Sequence, residues 1–410
     1  MKYILLPCLL LWCRSTTAQT YDNLVASGKK MVKEERAKFG NDFSAAIVVL
    51  KEALKMNPNG QEAHYYLGSA YDYSHNPSFA TVRYSEKDKT IQASREFEDV
   101  IRINASYTGD IIALDPYAKL SSVWGCLAYS YMVRNRNDSA RWAFAEGKKR
   151  GGFPDFALEF NRMVLRSFEP NAIYFTYGDF STMLIWYLQA MEGLRPDVSL
   201  VHINTIDIPW VSEDVYRRRH NIYSSAAVES DTTPYFEWTE HTVDVPIGTT
   251  GKTFEWKIAP TNYEKYITRA NSQLIDIVTN AAFTTPIYFE TGTAPEDMLG
   301  LHWYTEDRFL ASKLIPEKLT EYKRYFWDQL NTFPYDLLKK ADPNCGAELF
   351  IILNLRYNFI KGILALSDQN KKEEARLLYQ KMEAKIPESK YPSDESQKEY
   401  LEALRKRIEK

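Results

Sequence analysis

Residues 173–210 read IYFTYGDFSTMLIWYLQAMEGLRPDVSLVHINTIDIPW. Ile173–Thr176 is a short apolar run of good strand formers, ended by Gly178. Residues 183–194 have helix length, Arg195-Pro196-Asp197 breaks that helix, and residues 199–203 resume a buried strand. Strand, helix, strand at this spacing predicts a βαβ unit, whose two strands run parallel because the helix carries the chain back across the sheet. A near copy of the first string, Pro286-Ile287-Tyr288-Phe289-Glu290, follows a helical stretch at 272–281 and ends at Gly292. Both strings are expected to be strands of one small, mostly parallel sheet. Residues 242–258, with Gly248-Thr249-Thr250-Gly251 at the turn, predict a hairpin inserted between them.

In such sheets ligands sit beyond the carboxyl ends of the parallel strands. That edge gathers Gly178, Asp179, Ser181 and Thr182, then Asn204 and Asp207, then Glu290 and Thr293. Asp179, Asp207 and Glu290 are the catalytic candidates, since glycoside chemistry requires two carboxyl groups facing each other across a crevice. Asp179, Ser181 and Thr182 are the candidates for binding without chemistry. Each has a plainer reading. Asp179 or Ser181 caps the following helix by accepting its free N–H groups, and Asp207 serves the turn before Ile208-Pro209. No histidine stands at metal-ligand spacing to them, and no Gly-x-Gly-x-x-Gly or Gly-x-x-x-x-Gly-Lys loop occurs, so neither metal nor cofactor is expected. His202 alternates inside a strand and His64 lies on a helix, and both read as packing residues.

Toward the N-terminus the period becomes helical and repeats. Ala46, Leu50, Ala53 and Pro58 stand at offsets 0, 4, 7 and 12, and the offsets recur at Ala93, Phe97, Val100, Ala105 and at Ala140, Phe144, Gly147, Gly152. Leu67-Gly68 with Tyr71, and Trp124 with Leu127-Ala128 and Tyr131, precede the second and third sets. This pattern resembles the tetratricopeptide repeat. Small residues let two helices approach, and stacked helix pairs then share one elongated core. The second copy carries an insertion that includes Ser74-His75-Asn76-Pro77-Ser78, and residues 155–167 form a closing helix. The resemblance implies a ligand face on the first helices of the pairs, at Glu62, Tyr65, Asp72 and Tyr73, then Tyr129 and Met132. A peptide or protein partner is the ligand it suggests. The alternative is that these residues pack against the next domain or face water.

The stretch from Ile173 to Trp210 also resembles the soluble C-terminal portion of bacterial membrane proteins related to the protein O-mannosyltransferases, many of them from Bacteroidetes. Their Gly-Asp-Asn-Asp-Thr loop, Trp-Tyr-Leu-Gln helix and Arg-x-Asp-Val turn correspond to Gly178–Thr182, Trp186–Gln189 and Arg195–Val198. Pro286-Ile287-Tyr288-Phe289, Gly300-Leu301 and Leu314-Ile315-Pro316 follow in the same order, and Ala375, Tyr379, Met382 and Pro387 repeat the helical offsets. Phe180-Ser181 replaces the Asn-Asp of that loop, removing a carboxylate and an amide. The multi-helix membrane region, where sugar transfer from a lipid-linked donor is expected in that family, has no counterpart here. The resemblance thus implies a shared soluble module without implying transferase activity.

The whole chain agrees with a folded, multidomain protein. It has 410 residues, 45% hydrophobic and 14% aromatic, with 51 Lys+Arg against 54 Asp+Glu, which argues against general disorder and against nucleic acid as the main partner. Lys2, the apolar run at 3–12 and the small residues before Gln19 read as a secretory signal peptide cut after Ala18. Removing Lys2 and Arg14 takes the formal charge from −3 to −5 and leaves Cys126 and Cys345, too few for a disulfide framework. The most apolar later stretch, 349–366, contains Asn354, Arg356, Asn358 and Lys361, so no transmembrane segment is expected in the mature chain.

The sequence therefore predicts a mainly α protein with a central α/β domain: signal peptide 1–18, helical repeats 19–168, an α/β domain with a hairpin insertion 169–318, and helical hairpins 319–410. Its expected role is protein binding or scaffolding in the periplasm or cell envelope, accessory to glycan assembly. The alternative is a soluble glycan-acting hydrolase or transferase.

Overall fold

The computed structural model describes residues 20–218, 222–223, 234–308, 310–318, 330–393 and 395–409. The expected signal peptide lies outside the described residues. The N-terminal third is a stack of helices: α1 (Tyr21–Ala37), α2 (Ser44–Met56), α3 (Gln61–Tyr73), α4 (Lys87–Ile103), α5 (Pro116–Val133), α6 (Asn137–Lys149) and α7 (Asp155–Ser167). Through α6, each packs on its neighbours in sequence. The repeated small residues Ala46, Ala93 and Ala140 are buried, with Leu50, Phe97 and Phe144 filling the core four positions on. Two glycines set the closeness of the helices. A Cβ at Gly68 of α3 would lie 2.9 Å from the Phe97 ring of α4, and one at Gly147 of α6 would lie 2.6 Å from Cβ of Trp124 on α5.

The insertion after α3 contains a short 3-10 helix, Phe79–Tyr84. Its Phe79 ring sits beside those of Tyr129, His202 and Trp210. Nε1 of Trp210 donates to the Ala80 carbonyl at 2.8 Å. These extra residues are therefore a strap that ties the helical stack to the sheet.

Strand β1 (Ile173–Thr176), helix α8 (Asp179–Glu192) and strand β2 (Ser199–His202) form the expected βαβ unit, with β1 and β2 parallel in the register Ile173↔Ser199 to Thr176↔His202. After α9 (Pro209–Arg218) come the short β3 (Tyr235–Glu237), the hairpin β4 (His241–Pro246) and β5 (Thr253–Ile258), β6 (Tyr266–Thr268) and α10 (Arg269–Ala281). Strand β7 (Ile287–Glu290) then pairs parallel with β1, so that Tyr174 stands beside Tyr288 and Phe175 beside Phe289. Strands β8 (Thr305–Asp307) and β9 (Ala311–Leu314) complete a mixed five-stranded sheet of order β2-β1-β7-β9-β8. Alternation along β1 and β7 sends Tyr174 and Tyr288 into the core shared with the helical stack. Ile173, Phe175, Ile287 and Phe289 enter a second core formed with α10 and the hairpin. Both faces of the sheet are thus buried, as its unbroken apolar strings require.

A third core belongs to the C-terminal helices α11 (Gly346–Asp368), α12 (Lys372–Lys385) and α13 (Glu395–Glu409), joined by Phe156 of α7. By length and composition α11 is the one helix among the described residues apolar enough to cross a membrane. Here it is a core helix, and its polar residues are tied into the fold. Arg356 is 1% exposed and donates to Ser393 Oγ, the Ile386 carbonyl and the Tyr391 carbonyl. Glu348 accepts from the backbone N–H groups of Ala157 and Asp342, so a side chain of α11 caps the start of α7, which has no cap of its own.

Candidate functional site

Strand β1 runs out at Thr176, and the chain turns into α8 through Gly178 at φ 127°, ψ 151°, a conformation open essentially to glycine. That turn presents its polar groups to the end of β7. The Tyr177 N–H donates to Glu290 Oε2 at 2.6 Å and Ser181 Oγ donates to the same oxygen at 2.8 Å. Both donors are neutral, so the desolvation of Glu290 is only partly offset. Burial pushes its carboxyl up to about 7 against these two hydrogen bonds. Asp179, one turn away, has the opposite environment. Burial would raise it, but the hydrogen bond from His202, with the fields of His202 and Lys119, holds its carboxyl below the usual range.

Asp179 and Glu290 line a cavity of about 380 Å³. Its floor is the carboxyl end of β1 and β7, as expected. Its other walls come from far along the chain: Ala113, Leu114 and Asp115 from the loop before α5, Phe160 and Val164 from α7, and Phe350, Ile351 and Asn354 from α11. Tyr174, Tyr177 and Phe180 add three more rings. Asp115 caps α5 by accepting from the Tyr117 and Ala118 N–H groups, and its carboxyl is raised by burial against those bonds. The cavity is a junction of stack, sheet and C-terminal helices, with three carboxyl groups reaching it from three segments.

Several expected site residues are placed otherwise. Asp207 is exposed in the turn after β2 and is not part of the cavity wall, so the three candidate acids do not converge. Neither Asp179 nor Ser181 caps α8. The cap position is Gly178, which has no side chain to accept with. Thr182 is fully buried, its hydroxyl bonded to Thr176 Oγ1 and the Gly178 carbonyl at 2.7 Å each, which braces the turn and leaves nothing for a ligand. His202 does more than pack: its Nε2 lies 3.2 Å from Asp179 Oδ1, while its buried Nδ1 has no hydrogen-bond partner among the described residues.

The ligand face expected on the helical stack is likewise corrected, because Tyr65, Asp72, Tyr73 and Tyr129 are all buried. The Tyr65 hydroxyl donates to the Leu114 carbonyl at 2.7 Å and accepts from the Ile112 N–H at 2.8 Å, fixing the loop that walls the cavity. Asp72 pairs with buried Lys119 at 3.0 Å, and the same ammonium reaches the Tyr73 hydroxyl at 3.2 Å. Tyr129 stacks on Trp186 at 3.8 Å and donates to Asp214 at 3.1 Å. Tyr129 thus packs against the next domain, whereas Tyr65, Asp72 and Tyr73 are taken up within the stack itself, by its 112–114 loop and by α5.

Away from the cavity, His64, Glu96 and Asp99 form the one His-containing acidic cluster found among the described residues. His64 Nδ1 meets Glu96 at 2.7 Å and Nε2 meets the Pro58 carbonyl at 3.0 Å. Both ring nitrogens face acceptors, an arrangement that favours the charged, doubly protonated ring. Burial opposes that charge, but these bonds raise the His64 pKa. Cys126 and Cys345 are buried free thiols.

The sequence signal for Asp115 was present in the Asp115-Pro116 pair, a helix cap followed by proline at the first helical position. The contribution of α11 had no local signal. It rests on contacts more than 150 residues apart in sequence, such as Glu348 with Ala157.

Comparison with known proteins gives one family match. The model of TMEM260-associated domain 2 matches residues 157–257, which span most of α7, the β1–α8–β2 unit, and the β4–β5 hairpin to within one residue of its end. No curated protein and no solved structure matches the chain.

Proposed function

We propose that this protein is a recognition component of the bacterial cell envelope, exported and accessory to glycan assembly, which binds a ligand in the α8–α11 cavity without turning it over. The carrying observation is the cavity itself: a partly open space of about 380 Å³ at the carboxyl ends of parallel strands, lined by aromatic side chains and a few converging polar groups. Ring faces and carboxyl groups are the chemistry that holds a saccharide. The matched domain lies in a glycosylation-related family and carries the Gly178–Thr182 turn. The helical stack, read as tetratricopeptide-like, acts in this proposal as a scaffold for a protein or peptide partner. Its contact surface is the exposed outside of the stack, since the inner-face tyrosines are buried. The test is a glycan array probed with the purified chain, beside a pull-down from envelope extracts. Saturable retention of a glycan family that Glu290→Ala abolishes supports the reading, and an array with no binding above background overturns it.

One observation favours a second reading. The Glu290 carboxyl is pushed up to about 7 while that of Asp179 is held low, and acid–base pairs in enzymes are separated in this way. A soluble glycan hydrolase or transferase would use Glu290 as proton donor and Asp179 as the ionised partner. Release of sugar from an envelope glycan, lost in both Glu290→Gln and Asp179→Asn, would establish it over the binding reading.

A further inference from the structure

Among the described residues, those lining the cavity include no lysine, arginine or histidine. The groups that act on its carboxylates lie behind the wall: the His202 ring bonds Asp179 from β2, and Lys119 is spent on Asp72 and Tyr73. Asp115 is satisfied by backbone N–H groups at the start of α5. Among the described residues Glu290 has no cationic partner. Its two hydrogen bonds both end on Oε2, and Oε1 takes none from the described residues.

A ligand entering this space meets the aromatic side chains of Phe160, Tyr177, Phe180 and Phe350 around a carboxyl with no cationic partner among the described residues. An anionic ligand, whether phosphate, sulfate or carboxylate, would be buried beside the ionised Asp179 with no donor cation among the described lining residues, which costs several kcal/mol in a desolvated site. A cation has the reverse fit: a carboxylate to neutralise it, and ring quadrupoles over which a small ammonium is stabilised. We propose that the ligand seated in this cavity carries a protonated primary amine, held by Glu290 and faced by the surrounding rings. The inference rests on the glycan reading above for the nature of the rest of the ligand, which makes an amino sugar the first source; a simple alkylamine presents the same ammonium without the sugar.

The test is calorimetric titration of the full mature chain and of its Glu290→Gln variant at pH 6.5, with glucosamine, N-acetylglucosamine and n-butylamine as probes. Gln keeps the shape and the acceptor that Tyr177 and Ser181 use, and matching circular dichroism and melting curves confirm that the variant folds. Glucosamine is expected to saturate the wild-type chain at least tenfold more tightly than N-acetylglucosamine, with that advantage lost in Glu290→Gln. Butylamine binding as tightly as glucosamine, with the same loss in the variant, upholds the amine and overturns the glycan reading. Equal binding of both sugars, unchanged by Glu290→Gln, overturns the amine and leaves the glycan reading in place. Absence of saturation by either amine also overturns the proposal, and the glycan reading then stands or falls on the array.

Discussion

His202 on β2 and Asp179 at the first position of α8 meet at 3.2 Å, so a strand residue that alternates into a core also sets the charge state of a cavity carboxylate. The contact crosses the parallel β1–β2 pair, which places His202 level with Thr176 at the mouth of the turn. Replacing His202 with Leu removes the hydrogen bond that holds Asp179 down and leaves burial opposed only by the field of Lys119. The Asp179 titration, followed by carbon-detected NMR of the side-chain carboxyl, is then expected to move upward. Stability should fall by about 1.5–3 kcal/mol for a lost charge-assisted bond. An unmoved Asp179 titration would show that the pair is incidental.

Glu290 and Glu348 both have carboxyl groups pushed up to about 7 by burial, from an ordinary value of 4.5. In that interval the folded chain keeps protons that the unfolded chain releases, so stability is highest below about pH 4.5 for these groups and declines as pH rises toward 7. Each shift amounts to about 3 kcal/mol at most. Carboxylates held low, such as Asp197 beside Arg195, act in the opposite sense only at acid pH and lie outside this window. Urea midpoints are therefore expected to drop between pH 5.5 and pH 8, and Glu290→Gln should recover roughly half of the drop. A midpoint independent of pH across that range in the wild type would refute the assignment.

Lys119 and Asp72 form a pair with side chains 3% and 9% exposed, linking α5 to α3. Removing one partner strands the other charge in the core. Lys119→Met is expected to cost about 3–5 kcal/mol, whereas Lys119→Met combined with Asp72→Leu should return most of it, because an apolar pair of similar volume has no desolvation debt. Thermal melts of the two single variants and the double variant form the cycle. Additive losses would mean that the two residues are not coupled.

The parts of this protein that local chemistry dictates were readable in advance. The strings at 173–176 and 287–290 are strands because β-branched and aromatic residues end at glycine, and the helix at 155–167 ends where its apolar period does. The hairpin at 242–258 follows from its glycine turn. The site was half readable. The strand-end rule finds Asp179 and Glu290, since it depends only on where parallel strands stop. It also selects Asp207, wrongly, because nothing local tells a turn that faces solvent from one that faces a cavity. Tyr65, Asp72 and Tyr129 read as a ligand face because helical periodicity marks a side without saying what covers it; the cover is the 112–114 loop, Lys119 and α8–α9. The roof on α11 is a long-range contact, and no spacing in the sequence encodes it.

Gly178 is where a single substitution should separate backbone geometry from side-chain chemistry. Its φ of 127° is closed to residues with a Cβ, yet a Cβ built there would meet nothing within 4 Å, so Gly178→Ala introduces no clash and its whole cost is the strained backbone. That cost is about 1–3 kcal/mol, and the chain relieves it by rotating the turn. Rotation moves the Tyr177 N–H and Ser181 away from Glu290 and disturbs the Thr182 bond to the Gly178 carbonyl, all of which depend on the turn as it stands. Gly178→Ala is thus expected to weaken cavity binding by tenfold or more while keeping the helical stack intact by circular dichroism. Ser181→Ala, which deletes one donor without touching the backbone, should cost binding only a fewfold. If both variants bind as the wild type does, the turn is a structural joint and the ligand is held from α11 instead.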